Sequence, residues 1–136
     1  MIHQLAHVCI TTPDLDATVR FYRDILGLDV TFHFLRNGEK IGCYFHAGSQ
    51  TFLECFTRTD NTVTKGDITH FCLQTKDIQA LETSLRAAGV ETRSRKTGAD
   101  NSHQFWCTDP NGIDIEFQEY TSESCQITGN DCHVDW

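Results

Sequence analysis

The chain repeats itself, and this constrains its fold more than any other feature. The stretch His7-Val-Cys-Ile-Thr-Thr-Pro-Asp-Leu-Asp-Ala aligns with His70-Phe-Cys-Leu-Gln-Thr-Lys-Asp-Ile-Gln-Ala at an offset of 63. His, Cys, Thr, Asp and Ala coincide, and the exchanges Val/Phe, Ile/Leu and Leu/Ile keep the apolar pattern. The register continues with Gly27 against Gly89 and Leu53-Glu54 against Ile115-Glu116, both at an offset of 62. Self-similarity at that period in a chain of 136 residues means two copies of one supersecondary unit sharing a single domain.

Each copy carries the same sequence of local signals. An alternating run (6–11 and 69–74) reads as a strand, and an Asp that can cap a helix follows it, Asp14 or Asp77. Apolar residues then recur at helical spacing, Leu15, Val19, Tyr22 and Leu26 in one copy and Ile78, Leu81, Leu85 and Ala88 in the other. Gly27 and Gly89 end these helices as left-handed residues. Strand-like stretches follow at 29–35 and 90–95. Two hairpins come next, 40–45 with 51–56 and 104–108 with 113–119, the second turning through Asp109-Pro110-Asn111-Gly112 and the first through the looser His46-Ala47-Gly48-Ser49. The expected fold is therefore α+β: two βαβββ modules, at 1–57 and 68–120, forming a curved mixed sheet around a cleft. A linker at 58–67 and a tail at 121–136 complete the domain.

Composition excludes several function classes. Nineteen acidic against eleven basic residues give a net charge of −8, which argues against a surface built to neutralise nucleic-acid phosphates or to sit on anionic membranes. No apolar run approaches the roughly 20 residues of a membrane span, and the amino-terminal residues lack a basic segment followed by an apolar one. The expected compartment is the cytoplasm. Seven cysteines, an odd number with no Cys-x-x-Cys pair, read as reduced thiols packing as small apolar residues.

The repeat presents chemistry in duplicate, His7 with His70 and Glu54 with Glu116. A lone strand histidine is more often a half-buried, hydrogen-bonded residue, and either glutamate could face water. Four such residues, of two chemical types at equivalent places, point instead to a divalent transition metal: neutral imidazole suits Ni, Co, Zn, Mn or Fe, and two carboxylates cancel its charge. Cys9 and Cys72, two residues after each histidine, share its face but are weaker candidates, since thiolates would favour a closed zinc site. Asp114, Gln118 and Tyr120 share a face with Glu116 and read as the wall of a site. Asp131, Cys132, His133 and Asp135 resemble a metal site by composition only, and the tail's apolar end, Val134 and Trp136, could cover a site or dock on a second subunit.

With Phe21-Tyr22-Arg23-Asp24-Ile25-Leu26-Gly27-Leu28, the two His-led strands and the 109–116 hairpin, the chain resembles the vicinal oxygen chelate superfamily of glyoxalase I, bleomycin resistance and extradiol dioxygenase proteins, over about 120 of 136 residues. The resemblance implies one metal ion held by the first and last strands of each module, places occupied here by His7, Glu54, His70 and Glu116, the His, Glu, His, Glu set of bacterial glyoxalase I. It also implies a homodimer, whose sites can combine modules from two chains. The chemistry implied is that of a lactoylglutathione lyase-like isomerase or lyase: a small α-hydroxycarbonyl or hemithioacetal substrate, a metal-stabilised enediolate, and Glu116 or Glu54 as base, with Glu116 favoured. Where that type holds glutathione with an Arg and an Asn, this sequence has Thr11 and Arg58, which counts against glutathione as cosubstrate. Arg58 and Lys96 fit an anionic or polyhydroxylated substrate equally well, and Gln118 and Tyr120 are expected to hydrogen-bond it. The alternatives within the resemblance are an Fe(II) extradiol-type dioxygenase, disfavoured because Glu54 would take a coordination place that O₂ or catechol needs, a drug-binding resistance module without turnover, and thiol transfer or epoxide opening on an antibiotic.

Overall fold

The architecture follows the duplicated pattern strand by strand. In the computed structural model, which describes residues 5–59 and 69–132, the first half forms β1 (His7–Thr12), α1 (Leu15–Val19), a π-helical segment (Arg20–Ile25), β2 (Val30–Arg36), β3 (Glu39–Gly48) and β4 (Thr51–Thr57). The second half forms β5 (His70–Gln74), α2 (Ile78–Ala87), β6 (Lys96–Thr97), β7 (His103–Thr108) and β8 (Asp114–Glu119), followed by the short α3 (Cys125–Thr128). Each half makes one four-stranded mixed sheet, in the orders β1-β4-β3-β2 and β5-β8-β7-β6, and only β1/β4 and β5/β8 are parallel. The expected linker lies almost wholly outside the described residues, as do His133, Val134, Asp135 and Trp136.

The helix ends form where the sequence places them. Asp14 Oδ1 accepts from Ala17 N at 2.9 Å and Asp77 Oδ1 from Ala80 N at 2.8 Å, so each Asp satisfies a backbone donor of its first turn. Gly27 and Gly89 adopt φ of +75° and +82°, where a side chain would be strained. The helix interior of the first half departs from the expected stripe. After Val19 the turn widens, Leu26 N donating to Phe21 O at 3.0 Å, and the fully buried residues become Thr18, Phe21 and Tyr22 while Leu15, Val19 and Leu26 are only partly covered. In α2 the expected spacing holds for Ile78 and Leu85, whereas Ala88 is the exposed cap residue.

The segment 90–95 is not a strand. It contributes a single bridge, Thr92 to Cys107, and the pairing edge is the two-residue β6 that follows it. Its run Glu91-Thr-Arg-Ser-Arg95 offers no alternating apolar face, and Arg93 and Arg95 turn instead to Asp114 and Glu82. In the first hairpin β3 continues through His46 to Gly48, and the turn falls at Ser49-Gln50, with Gly48 at φ +114°.

Contacts divide the chain into two compact units, one of residues 1–64 with Asp109–Gly112, the other of 65–108 with 113–136. The first unit is therefore discontinuous in sequence. Its core holds Ile10, Phe21, Tyr22, Cys43, Phe45, Leu53 and Cys55, and the Tyr22 hydroxyl donates to Asp109 Oδ2 at 2.8 Å. Asn111 Nδ2 donates to Asp109 Oδ2 and Thr18 Oγ1, and Thr18 in turn donates to Thr12, so these buried polar groups are mutually satisfied. The second unit packs Ile78, Leu85, Phe105, Cys107, Ile115 and Phe117, with the rings of Phe105 and Phe117 stacked at 4.9 Å. All seven cysteines are free thiols; Cys43, Cys55 and Cys107 are core residues, as expected.

Candidate metal and ligand site

Strand alternation leaves each sheet with one face on its core and one open. In the first sheet the open face carries His7, Cys9 and Thr11 of β1, paired in register with Phe52, Glu54 and Phe56 of β4, and then Tyr44 and His46 of β3. In the second, His70, Cys72 and Gln74 of β5 pair with Asp114, Glu116 and Gln118 of β8, with Trp106 and Gln104 of β7 beyond them. The four residues singled out by the repeat thus occupy equivalent register positions on the two open faces.

Each histidine faces its own glutamate. His7 Nε2 lies 3.7 Å from Glu54 Oε2, and His70 Nε2 lies 3.5 Å from Glu116 Oε2. In both, the other ring nitrogen is occupied by a hydroxyl, His7 Nδ1 by Tyr44 at 3.1 Å and His70 Nδ1 by Thr69 at 3.0 Å. An outer partner on Nδ1 fixes the ring and leaves Nε2 for a metal. Two ligands at about 2.1 Å from one ion stand about 3.0–3.4 Å apart, so the N···O separations are within a few tenths of an ångström of a coordinated pair. The donor set therefore fits a divalent cation. Among the described residues no group of three or more His, Cys, Asp or Glu side chains converges on a metal position.

The surroundings of the two pairs differ. Glu116 is 8% exposed, and Gln118 Nε2 donates to its Oε1 at 3.2 Å, leaving Oε2 toward His70. Trp106 packs its ring edge on His70 at 4.6 Å, and the Arg93 guanidinium lies over Trp106 while pairing with Asp114 at 2.8 Å. A cavity of about 690 Å³ opens here, lined by His70, Glu116, Gln118, Lys96, Arg93 and Gln104 among others. The expected residues Lys96 and Gln118 thus join His70 and Glu116 in one cavity, and Tyr120, half-buried just beyond β8, has its hydroxyl pKa raised by burial and by Cys72, Asp100 and Glu116. Around Glu54 the neighbours are Cys9, Tyr44 and aromatic rings. Thr11 is exposed on the open face two residues beyond Cys9; Arg58 is half-buried after β4, its backbone N–H on Thr12 O at 2.7 Å. Burial pushes the Cys9 thiol up to about 11 and the Cys72 thiol up to about 12, each reinforced by its neighbouring glutamate, which favours the neutral thiol near pH 7.

Tyr44, Thr69 and Trp106 were not among the expected site residues. The repeat could have found two of them, since Tyr44 and Trp106 are related by the same offset of 62 that relates the glutamates.

Two four-stranded mixed sheets in repeated modules, with a His–Glu pair on each open face, define a class, and comparison with known proteins agrees. The family model described as "Glyoxalase/Bleomycin resistance protein/Dioxygenase superfamily" matches residues 4–117. The chain belongs to that superfamily. Its fold is shared by a lactoylglutathione lyase from Agrobacterium tumefaciens (TM-score 0.66, 20% identity, 85% of this chain and 92% of that one) and by the fosfomycin resistance protein FosX from Listeria monocytogenes (0.71, 17%, 90% and 98%). It is shared too by TnmS3, an antibiotic-binding protein from Streptomyces sp. (0.73, 18%, 88% and 98%). At such identities the likeness concerns fold alone. No curated protein matches the sequence. Among the described residues no helix is long and apolar enough to cross a membrane.

Proposed function

We propose that the protein is a divalent-metal-dependent isomerase or lyase of the glyoxalase I type, acting in the cytoplasm on a small α-hydroxycarbonyl or hemithioacetal compound. The observation that supports it most is the duplicated pair: a histidine with Nδ1 tied to a hydroxyl and Nε2 facing a carboxylate at 3.5–3.7 Å. His7, Glu54, His70 and Glu116 would hold one Ni, Co, Zn, Mn or Fe ion, each pair giving half the set, and a homodimer is the assembly proposed for it. Such an ion, when bound, polarises adjacent substrate oxygens and acidifies the C–H beside a carbonyl.

The remaining work falls to this chain's own side chains. Glu116 is the proposed base, moving the proton between neighbouring carbons, with Glu54 the alternative. Gln118 holds Glu116 Oε1 and so fixes the carboxylate plane. Lys96 and Arg93 supply positive charge to the cavity beside it, suited to a substrate carboxylate or phosphate, while Thr11, Arg58 and Tyr120 are proposed as further substrate contacts. With Thr11 and Arg58 where the glyoxalase I type binds glutathione, an anionic substrate other than a glutathione adduct is favoured.

The test is metal content by elemental analysis of wild type, His7→Ala and Glu54→Ala, followed by turnover of methylglyoxal with glutathione and of α-hydroxycarbonyl acids across added divalent ions. Stoichiometric metal in the wild type, lost from both variants, with turnover of either substrate class, is the expected result. Wild-type protein that takes up none of these ions would remove the catalytic reading and leave a binding module. Near-normal turnover by both Glu116→Gln and Glu54→Gln with metal retained would remove the assignment of the base.

A further inference from the structure

We propose that Cys125 and Cys132 are a site of reversible oxidation: in exchange with a low-molecular-weight disulfide of the glutathione type they join into a disulfide that fixes the segment 125–132 as a wall of the cavity lined by His70 and Glu116. The proposal concerns thiol chemistry outside the repeat and is independent of the ion that the His–Glu pairs hold. The repeat accounts for the other cysteines. Cys43, Cys55 and Cys107 are buried in the two cores, and Cys9 and Cys72 stand at equivalent strand positions, each against its own glutamate. Cys125 and Cys132 belong to neither copy of the repeat, and α3, which carries Cys125, buries none of its residues. Packing in a core does not explain them.

Three observations bring the two sulfurs to one place. Cys125 is anchored: its N–H donates to Asp100 O at 2.9 Å, and its neighbour Gln126 donates through Nε2 to Asp100 Oδ2 at 2.6 Å, which ties the helix to a residue of the cavity wall. The chain then reverses at Gly129, whose N–H donates to Cys125 O at 2.8 Å and whose φ of +72° ends the helix. The reversal returns the Cys132 thiol to within hydrogen-bond reach of the Cys125 thiol, and Cys132 lines the same cavity as His70 and Glu116. Residues 130–132 carry neither helix nor strand, so the Cys132 sulfur closes the remaining gap by movement of its own segment while Cys125 stays in place. Cys132 is exposed and meets the oxidant first. Its thiolate attacks one sulfur of the small disulfide, whose S–S bond breaks and releases one thiolate, leaving a mixed disulfide. The Cys125 thiolate then attacks the Cys132 sulfur, and the second small thiolate leaves. Two protein thiols thus become one disulfide, two electrons pass to the small disulfide, and its two halves depart with the two protons as free thiols. Desolvation, the Cys125 thiol and Asp100 oppose ionisation of Cys132, so the exchange is slow at neutral pH and quickens as pH rises. A reducing compartment reverses it, which is the behaviour of a sensing pair rather than of a structural bridge.

The experiment incubates reduced full-length protein with oxidised glutathione at about pH 8, blocks the remaining thiols with iodoacetamide, and digests with a protease that cuts after glutamate. The expected result is that the fragment beginning at Ser124 carries no blocking group and is lighter by two hydrogen atoms. Cys125→Ser and Cys132→Ser each abolish that product, and Cys125→Ser leaves a stable glutathione adduct on Cys132. In the oxidised wild type, modification of His70 by diethyl pyrocarbonate slows by about threefold or more, while that of the exposed His46 on the other sheet is unchanged. Dithiothreitol restores the faster rate. Recovery of both cysteines blocked by iodoacetamide, or a disulfide formed only between chains, overturns the proposal. A disulfide within the chain that leaves His70 as reactive as before overturns its role at the cavity. None of these readouts uses metal or turnover, so failure here and failure of the isomerase reading are separate results.

Discussion

The two modules share a backbone plan and a core chemistry but not an open face. One presents Phe32, Phe34, Tyr44, Phe52 and Phe56 around its His–Glu pair; the other presents Gln104, Asp114, Gln118, Lys96 and a single ring, Trp106. Side chains toward the core answer to packing: Phe45, Leu53 and Cys55 stand where the other module has Cys107, Ile115 and Phe117, all buried, with the large and small members of the Phe/Cys pair exchanged. Side chains toward the open face are free of that demand and diverge. What survives on both open faces, the histidine, the cysteine and the glutamate, is therefore retained for a reason other than packing.

The sharpest way to break this contrast is to damage both cores. Phe45→Ala and Phe117→Ala should each cost about 3–5 kcal/mol in urea unfolding, because each removes a fully buried ring, whereas Phe32→Leu should change stability by under about 1 kcal/mol. If Phe32→Leu proved as costly as Phe45→Ala, the distinction between core face and open face would fail. Next in size, if Glu54 and Glu116 are ligands as proposed, Glu54→Ala and Glu116→Ala should each weaken zinc binding by more than about 100-fold in a competition titration, a larger loss than that of a supporting residue. Unequal losses would mean that the modules are not equivalent half-sets.

A smaller effect separates the supporting hydroxyls. Tyr44→Phe removes the partner of His7 Nδ1 and Thr69→Val that of His70 Nδ1, and each should weaken zinc binding by about 10-fold with no loss of stoichiometry. The smallest effect belongs to the polar side alone. Burial opposes ionisation of Asp100, but hydrogen bonds from Gln126 and Ser102 prevail and hold its carboxyl below the usual range. Its folded pKa being depressed, the stabilisation is present above the unfolded value and is lost as pH falls through the folded one. Amide exchange at Cys125 and Gln126, which are tied to Asp100, should therefore accelerate below about pH 4 relative to the intrinsic rate, while amides of β3 and β4 do not.

Much of this was legible in the sequence because the repeat turns one observation into two. The helix caps Asp14 and Asp77, the glycines that end the helices, and the approach of His7 to Glu54 and of His70 to Glu116 all fall at aligned positions. The π-helical widening after Val19 was not legible in the helical spacing, and Tyr22 within it bonds to Asp109, far away in sequence. Nor was the loss of a strand at 90–95, where arginine side chains engage carboxylates on other elements. The side on which Phe32 and Phe34 fall was not legible either, because it is set by the pairing of β2 with β3 and its irregular register.

The turn Asp109–Gly112 belongs by contact to the first unit though it is encoded deep in the second repeat. A chain cut between the repeats would give an amino-terminal half without the carboxylate that accepts from the Tyr22 hydroxyl and without the Asn111 amide that donates to Thr18. The duplicated message is thus not divisible at its own seam. Ribosomal synthesis must pass residue 112 before the first unit can close, so the earlier half of the polypeptide waits on the later one to finish its fold.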